Sequence, residues 1–158
     1  MSNVIVVDNL VTGNLRNLDH LKGRGELTVV KADIADRLLL DAQADFIFNL
    51  ACPASPVHYQ ADPVATMKTC VIGTLKLLEL AEALGARLIQ ASTSEVYGDP
   101  LQHPQTETDW GNVNPIGIRS CYDEGKRAAE TLCFDFQRTR GTEVRVARIF
   151  NTYGPHMR

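Results

Sequence analysis

Five short apolar runs rich in β-branched residues are interspersed with three stretches of helical character, and this alternation makes a parallel α/β sheet the expected fold. Val4-Ile5-Val6-Val7 closes on Asp8, Leu27–Val30 closes near Ala32-Asp33, and Phe46–Leu50 opens into the loop Cys52-Pro53-Ala54-Ser55-Pro56. Leu88–Ala91 leads to Ser92-Thr93-Ser94-Glu95, and Val144–Ile149 supplies the last run. The first run has no polar alternation and reads as a strand buried on both faces. The clearest helix lies between Asp62 and Leu84, where Val64, Met67, Val71, Leu75 and Leu78 recur at helical spacing. Asp62-Pro63 caps its start and Gly85 ends it. A second long helix is expected over about 120–139, and a weaker one up to about Leu21. The predicted architecture is a doubly wound parallel sheet, whose ligands collect outside the carboxyl ends of the strands. Asp8, Asp33, the 51–56 loop, Thr93 to Glu95 and Asn151 all fall at that edge.

Composition narrows the partners. The chain has 158 residues, 44% apolar and 22% charged, with a net charge of -3. That charge gives no reason to expect nucleic acid or an anionic membrane. No run approaches the roughly 18 apolar residues of a membrane helix, and no signal peptide precedes the first strand, so an intracellular, cytoplasmic protein is expected. Cys52, Cys70, Cys121 and Cys133 form no C-x-x-C and read as reduced thiols. His58, His103 and His156 show no ligand spacing, so no metal is expected.

Tyr122 and Lys126 stand four apart, on one helix face. An ammonium beside a phenol stabilises phenolate and lowers its pKa, which would make Tyr122 a general base or acid near neutral pH. Such a pair is otherwise an ordinary exposed helix pair; Thr93 and Ser94, two hydroxyls after a buried strand, favour the chemical reading. Asp8 either caps its turn or accepts the two ribose hydroxyls of adenosine, which would favour NAD over NADP. Asp33 either caps likewise or meets the adenine edge. Glu95 either acts on a sugar as acid, base or orienting group, or serves backbone amides. Lys68 and Lys76, eight apart, either meet a carboxylate or diphosphate or are solvated.

Four runs carry a resemblance: NLACPASPVHYQADPVATMKT (49–69), STSEVYGDPLQHPQTE (92–107), NPIGIRSCYDEGKRAAE (114–130) and RIFNTYGP (148–155). Together they resemble the UDP-glucuronic acid decarboxylase (UDP-xylose synthase) group of the extended short-chain dehydrogenases/reductases, part of the NAD-dependent epimerase/dehydratase enzymes. The resemblance implies a Rossmann-like NAD-binding domain and a UDP-sugar substrate. It implies an internal redox cycle in which Tyr122 takes the proton of the sugar 4-hydroxyl as C4 is oxidised. The resulting 4-keto acid loses its C6 carboxylate as carbon dioxide, and C4 is reduced again to give UDP-xylose. Lys126 would bind the nicotinamide ribose, and Thr93 would hold the 4-oxygen. Ser94 and Glu95 would lie around the carboxylate and C5. Asp8, Asn9, Thr12, Gly13, Asp33, Ile34, Leu50 and Thr69 match cofactor contacts, and Lys68, Lys76 and Asn151 match positions near the substrate. Related sugar 4,6-dehydratases carry an Asp where Ser94 stands, which argues against dehydration. An epimerase remains the other alternative.

Two departures stand out. Cys70 occupies a position where the group usually has Asn. No glycine-rich turn of the kind that cradles a pyrophosphate occurs, and the chain is expected to be one partial NAD-binding domain over 1–158. It would lack the first strand, that loop and the carboxyl-terminal substrate domain. On that expectation weak binding and no turnover are the further alternative. The resemblance also implies a homodimer through helices 62–84 and 118–139.

Overall fold

A computed structural model describes residues 3–23, 25–36 and 42–154; His156 lies outside them. Strands β1 (Val4–Asp8) and β2 (Leu27–Lys31) form one parallel ladder, with Val4 opposite Leu27 and Asp8 opposite Lys31. Strands β3 (Phe46–Asn49), β4 (Arg87–Thr93) and β5 (Val144–Ile149) form a second, in the order β3-β4-β5. All pairs in both ladders are parallel, with Ile47 opposite Leu88 and Leu88 opposite Val144. The expected parallel α/β, Rossmann-like architecture is present.

The crossover from β3 to β4 runs through α1 (Pro56–Tyr59), α2 (Pro63–Lys68), a π turn (Thr69–Gly73) and α3 (Thr74–Leu84). The crossover from β4 to β5 uses the 3₁₀ turn Ser94–Tyr97, a long loop and α4 (Ser120–Arg140). The Asp62 side chain accepts from the Ala65 backbone N–H at 2.9 Å, and Gly85 ends α3 in the left-handed conformation that glycine adopts without strain. The expected 62–84 helix is therefore one path with a π turn inside it. The expected helix before Leu21 is a 3₁₀ helix over Leu15–Leu21. At the π turn Gly73 meets Ile34 so closely that a Cβ would lie 2.6 Å from its Cδ1.

Leu77, Leu78, Ala81, Leu88, Cys133, Phe136 and Val144 form the buried core with Ile34, and Val7 and Ile47 pack against it. Val7 and Ile34 thus join the two ladders through shared packing. Truncating Leu78, which is fully buried, would cost about 2–5 kcal/mol. One expectation is corrected here. Val4 and Ile5 are 49% and 39% exposed, so β1 is not buried on both faces among the described residues. Phe46 and Phe48, 53% and 64% exposed, likewise lie on the side of β3 away from the core, with Arg87 stacked over the Phe46 ring.

Candidate active site

Tyr122 sits in the first turn of α4 and Lys126 one turn later, both buried. The Tyr122 ring stacks on Tyr59 of α1 with centroids 4.8 Å apart and planes 8° from parallel. This packing fixes the phenol against the mouth of β4. The Lys126 Nζ donates to the Ala91 carbonyl at 2.9 Å and lies 5.8 Å from the Tyr122 ring centroid. The expected lowering of the phenol by its lysine is not what the structure gives. Burial pushes Tyr122 up to about 12; a hydrogen bond with Thr93 pulls down, and Cys52, Cys70 and Glu95 push further up. Desolvation is the largest of these effects.

Thr93 ends β4, where its Oγ accepts from the Glu95 backbone N–H at 3.2 Å and caps the 3₁₀ turn. Ser94 follows, half-buried. Glu95 is not committed to backbone amides: its Oε2 pairs with Arg119 Nη2 at 2.5 Å. Burial pushes Tyr59 up, and the charge of Arg119, the residue before α4, pulls the other way on Tyr59 and on Asp123. Asp123 is pushed up to about 6, chiefly by burial and then by Glu95 and Glu124 against the pull of Arg119. Its Oδ1 is buried with no hydrogen-bond partner among the described residues.

A second cluster lies beyond β1 and β2. Asp8 Oδ1 accepts from the Leu10 N–H at 2.6 Å, Asn9 Nδ2 donates to Asp33 Oδ2 at 2.8 Å, and Asp33 Oδ1 accepts from the Ala35 N–H at 2.8 Å. Leu10 has a φ of 62°, a left-handed turn residue outside glycine. A Cβ on Gly13 would lie 2.6 Å from Asp8 Oδ2, so the loop closes on this carboxylate only because position 13 has no side chain. Thr12 is half-buried in the same turn. Each carboxylate thus accepts from its own turn, and Asp33 also ties the two turns together through Asn9.

The other expected site residues are spread more widely. Ile34 buries its side chain in the core. Lys76 Nζ donates to the carbonyls of Ala35 and Asp36, both at 2.6 Å, which ties α3 to the loop after β2 and away from Tyr122. Lys68, Leu50 and Asn151 are exposed, and Thr69 donates to Ala65 O within its own helix.

Several contributors were not singled out from sequence. Asn49 donates to Gln90 Oε1 at 2.8 Å and to Thr74 Oγ1 at 3.1 Å, and Gln90 Nε2 donates to the same Ala91 carbonyl that Lys126 uses. Ser92 donates to Glu130, which is also paired with Arg148, and Arg148 donates to the Tyr97 hydroxyl. Tyr59 and Asn49 sit inside the quoted runs, but nothing in their spacing distinguished them.

No helix among the described residues is long and apolar enough to cross a membrane. No group of three or more metal-ligating side chains occurs among the described residues.

The comparisons with known proteins agree with this geometry. The chain is 60% identical over 155 residues to UDP-glucuronic acid decarboxylase 4 of Arabidopsis thaliana, an alignment covering 98% of this chain and 34% of that protein. It is 54% identical to UDP-glucuronic acid decarboxylase 1 of Xenopus tropicalis, over 98% of this chain and 36% of that one. The chain thus spans about a third of the length of these relatives. Among solved structures it resembles the dTDP-glucose 4,6-dehydratase DesIV of Streptomyces venezuelae with NAD and TYD bound, at a TM-score of 0.85 and 31% identity, over 98% of this chain and 48% of that one. It also resembles the UDP-glucose 4-epimerase of Thermotoga maritima with UDP-glucose, at a TM-score of 0.80 and 29% identity, over 97% and 49% of the two chains. The family model described as GDP-mannose 4,6 dehydratase matches residues 1–158. With its parallel sheets and with Tyr122 and Lys126 at the strand edge, the chain belongs to that family of nucleotide-sugar enzymes.

Proposed function

We propose that the protein to which this chain belongs decarboxylates UDP-glucuronate to UDP-xylose through a 4-keto sugar. The observation that carries the reading is the approach of Tyr122 to Thr93 at the end of β4, in a chain 60% identical to a decarboxylase. Tyr122 takes the proton of the 4-hydroxyl, and Thr93 accepts or donates to the same oxygen. Oxidation at C4 places a ketone β to the carboxylate, which makes carbon dioxide a good leaving group. Ser94 and the Glu95–Arg119 pair then border the C5 and carboxylate region, where Arg119 offers a cation. Ser94 supplies no carboxylic acid to expel a 6-hydroxyl, which disfavours dehydration; that alternative rests on the fold of DesIV.

The residues present fit NAD. The Gly13 turn closes on the Asp8 carboxylate at the end of β1, and Lys126 is buried one turn from Tyr122. NAD would supply a reversible hydride acceptor for C4. Asp8, Asn9, Thr12, Gly13 and Asp33 would hold its adenosine half, with the Ile34 backbone beside them. Leu50 and Thr69 would border it further along the edge. Asp8 would repel a 2′-phosphate, which favours NAD over NADP. Lys68 and Asn151 would approach the nucleotide sugar; Lys76 would act by holding the Asp33 loop. A homodimer through the 62–84 and 118–139 helices is supported by the exposed Val64, Ile72 and Phe134 on them. We place the enzyme in the cytoplasm.

Incubating a full-length version with UDP-glucuronate and NAD tests the reading. Carbon dioxide and UDP-xylose are expected; a 4-keto-6-deoxy sugar or a C4 epimer from other nucleotide sugars, with no carbon dioxide, would replace it. Calorimetric titration of the 158-residue chain with NAD tests whether this part binds alone.

A further inference from the structure

Cys52 and Cys70 come from distant parts of the sequence and meet sulfur to sulfur at 3.3 Å, both as free thiols. Cys52 lies in the loop after β3, with a φ of 136°, a left-handed conformation that non-glycine residues rarely adopt. That strained backbone presents its sulfur to the π turn, where Cys70 is 3% exposed. Cys70 in turn packs on α4 between Tyr122 and Lys126: a Cβ on Gly125 would lie 2.9 Å from Cys70 Cβ and 3.2 Å from its sulfur. Both thiols are close enough to Tyr122 to make its phenol harder to ionise.

We propose that Cys52 and Cys70 are a peroxide-sensitive dithiol whose oxidation to a disulfide tethers the loop after β3 to the π turn and thereby regulates the Tyr122/Lys126 site. The bond itself is independent of the function assigned above; its regulatory meaning rests on that reading. Closing the contact to the roughly 2.05 Å of a disulfide needs an approach of only about 1.2 Å. The two sulfurs share a hydrogen bond in which either thiol can donate, so each stabilises ionisation of the other. Cys52, half-buried where Cys70 is buried, is the sulfur that peroxide reaches first.

The Cys52 thiolate attacks one oxygen of hydrogen peroxide; the O–O bond breaks, and the departing hydroxide takes the proton that Cys52 released, forming water. Cys52 is now a sulfenic acid. The Cys70 sulfur attacks it, the S–O bond breaks, and the hydroxyl leaves with the Cys70 proton as a second water. Two thiols have lost two electrons, and one peroxide has become two waters. A dithiol reductant reverses the bond by exchange. Cys133, buried in the core and pushed up to about 12 by burial and by Glu130, stays inert.

The test exposes the reduced 158-residue chain to hydrogen peroxide, blocks remaining thiols under denaturing conditions and maps the peptides. A peptide joining Cys52 to Cys70, an intact mass two hydrogens lower, and full reversal by dithiothreitol are expected. Cys70→Asn and Cys70→Ser should each abolish the linked peptide, while Cys121→Ser leaves it. Both thiols still free, a lone sulfinic acid on either cysteine, or a bond to Cys121 overturns the pair. Hydrogen exchange reads the regulation: oxidation should slow exchange by about tenfold in residues 51–56 and alter it in 120–127. Unchanged exchange in 120–127 with the disulfide present overturns the regulatory step alone. Failure of the decarboxylation assay would leave the mapped bond intact, so the two readings fail separately.

Discussion

Lys126 Nζ and the Ala91 carbonyl oxygen are joined by a 2.9 Å hydrogen bond, and this bond couples α4 to the strand edge where Thr93 and Ser94 stand. The same carbonyl accepts from Gln90 Nε2 at 3.0 Å, and Gln90 is bonded to Asn49 on β3. The lysine is thus placed by three buried groups from two strands.

Replacing Lys126 with Met should separate stability from activity. Lys126 is 5% exposed and has no carboxylate partner among the described residues, so its burial is costly and an apolar side chain of similar length is tolerated. The Ala91 carbonyl keeps its bond to Gln90. A melting temperature close to the parent's, with decarboxylation reduced about 10²-fold or more in the full-length enzyme, is expected. A large fall in both would mean that the lysine is chiefly structural.

Tyr122 should titrate late. Its value of about 12, against an ordinary 10, means that between those pH values the folded chain keeps a proton that the unfolded chain has lost. Stability from this group is therefore present below about pH 10 and falls as pH rises toward 12. Phenolate absorbance during an alkaline titration should show Tyr122 and Tyr59 titrating late, and Tyr122→Phe should remove one of the two late components. Bound NAD, with a cationic nicotinamide, should move that titration downward; no movement on saturation would contradict the placement of the cofactor beside the phenol.

The strand runs, both long helices and the Tyr122/Lys126 pair were legible because each depends on local periodicity or fixed spacing. The phenol's ionisation was not, because spacing shows that Lys126 can reach Tyr122 but not how deeply the fold buries the hydroxyl. The π turn was hidden for a similar reason: Val64, Met67 and Val71 fit helical spacing, and the extra residue is absorbed where Gly73 meets Ile34, a contact between distant segments. Lys76 carried the same ambiguity, since a lysine on a helix face says nothing of which carbonyls come within its reach.

Asp123 should give a stability profile of the opposite sense to an ion-paired carboxylate. Its value is about 6 against 3.8, so between those values the folded chain holds a proton that the unfolded chain has released. Its contribution is present below about pH 4 and is lost as pH rises toward 6. Asp123→Asn should flatten that part of the profile and leave the chain equal or more stable at pH 7, because an amide carries no charge into the partly buried site. Thermal melts from pH 4 to 8 check this; destabilisation at pH 7 would instead mean that the carboxylate is held by Arg119.

Glu130 and Arg148 test the frame beneath the site. Glu130 accepts from Ser92 at 2.5 Å and from Arg148 at 2.8–3.2 Å, and Arg148 continues to the Tyr97 hydroxyl at 2.9 Å and the Glu107 carbonyl at 3.2 Å. The pair therefore holds β4, β5, α4 and the 3₁₀ turn that carries Ser94 and Glu95. With side chains only 9% and 24% exposed, removing one partner strands the other in a poorly solvated place. Arg148→Met alone should cost about 3 kcal/mol, whereas Arg148→Met with Glu130→Leu should cost clearly less than the sum of the two single changes. Denaturant melts of the four chains measure that coupling. Additive losses would show that the two residues are held independently and that the order of the Ser94–Tyr97 turn comes from Gly98 and Asn112 instead.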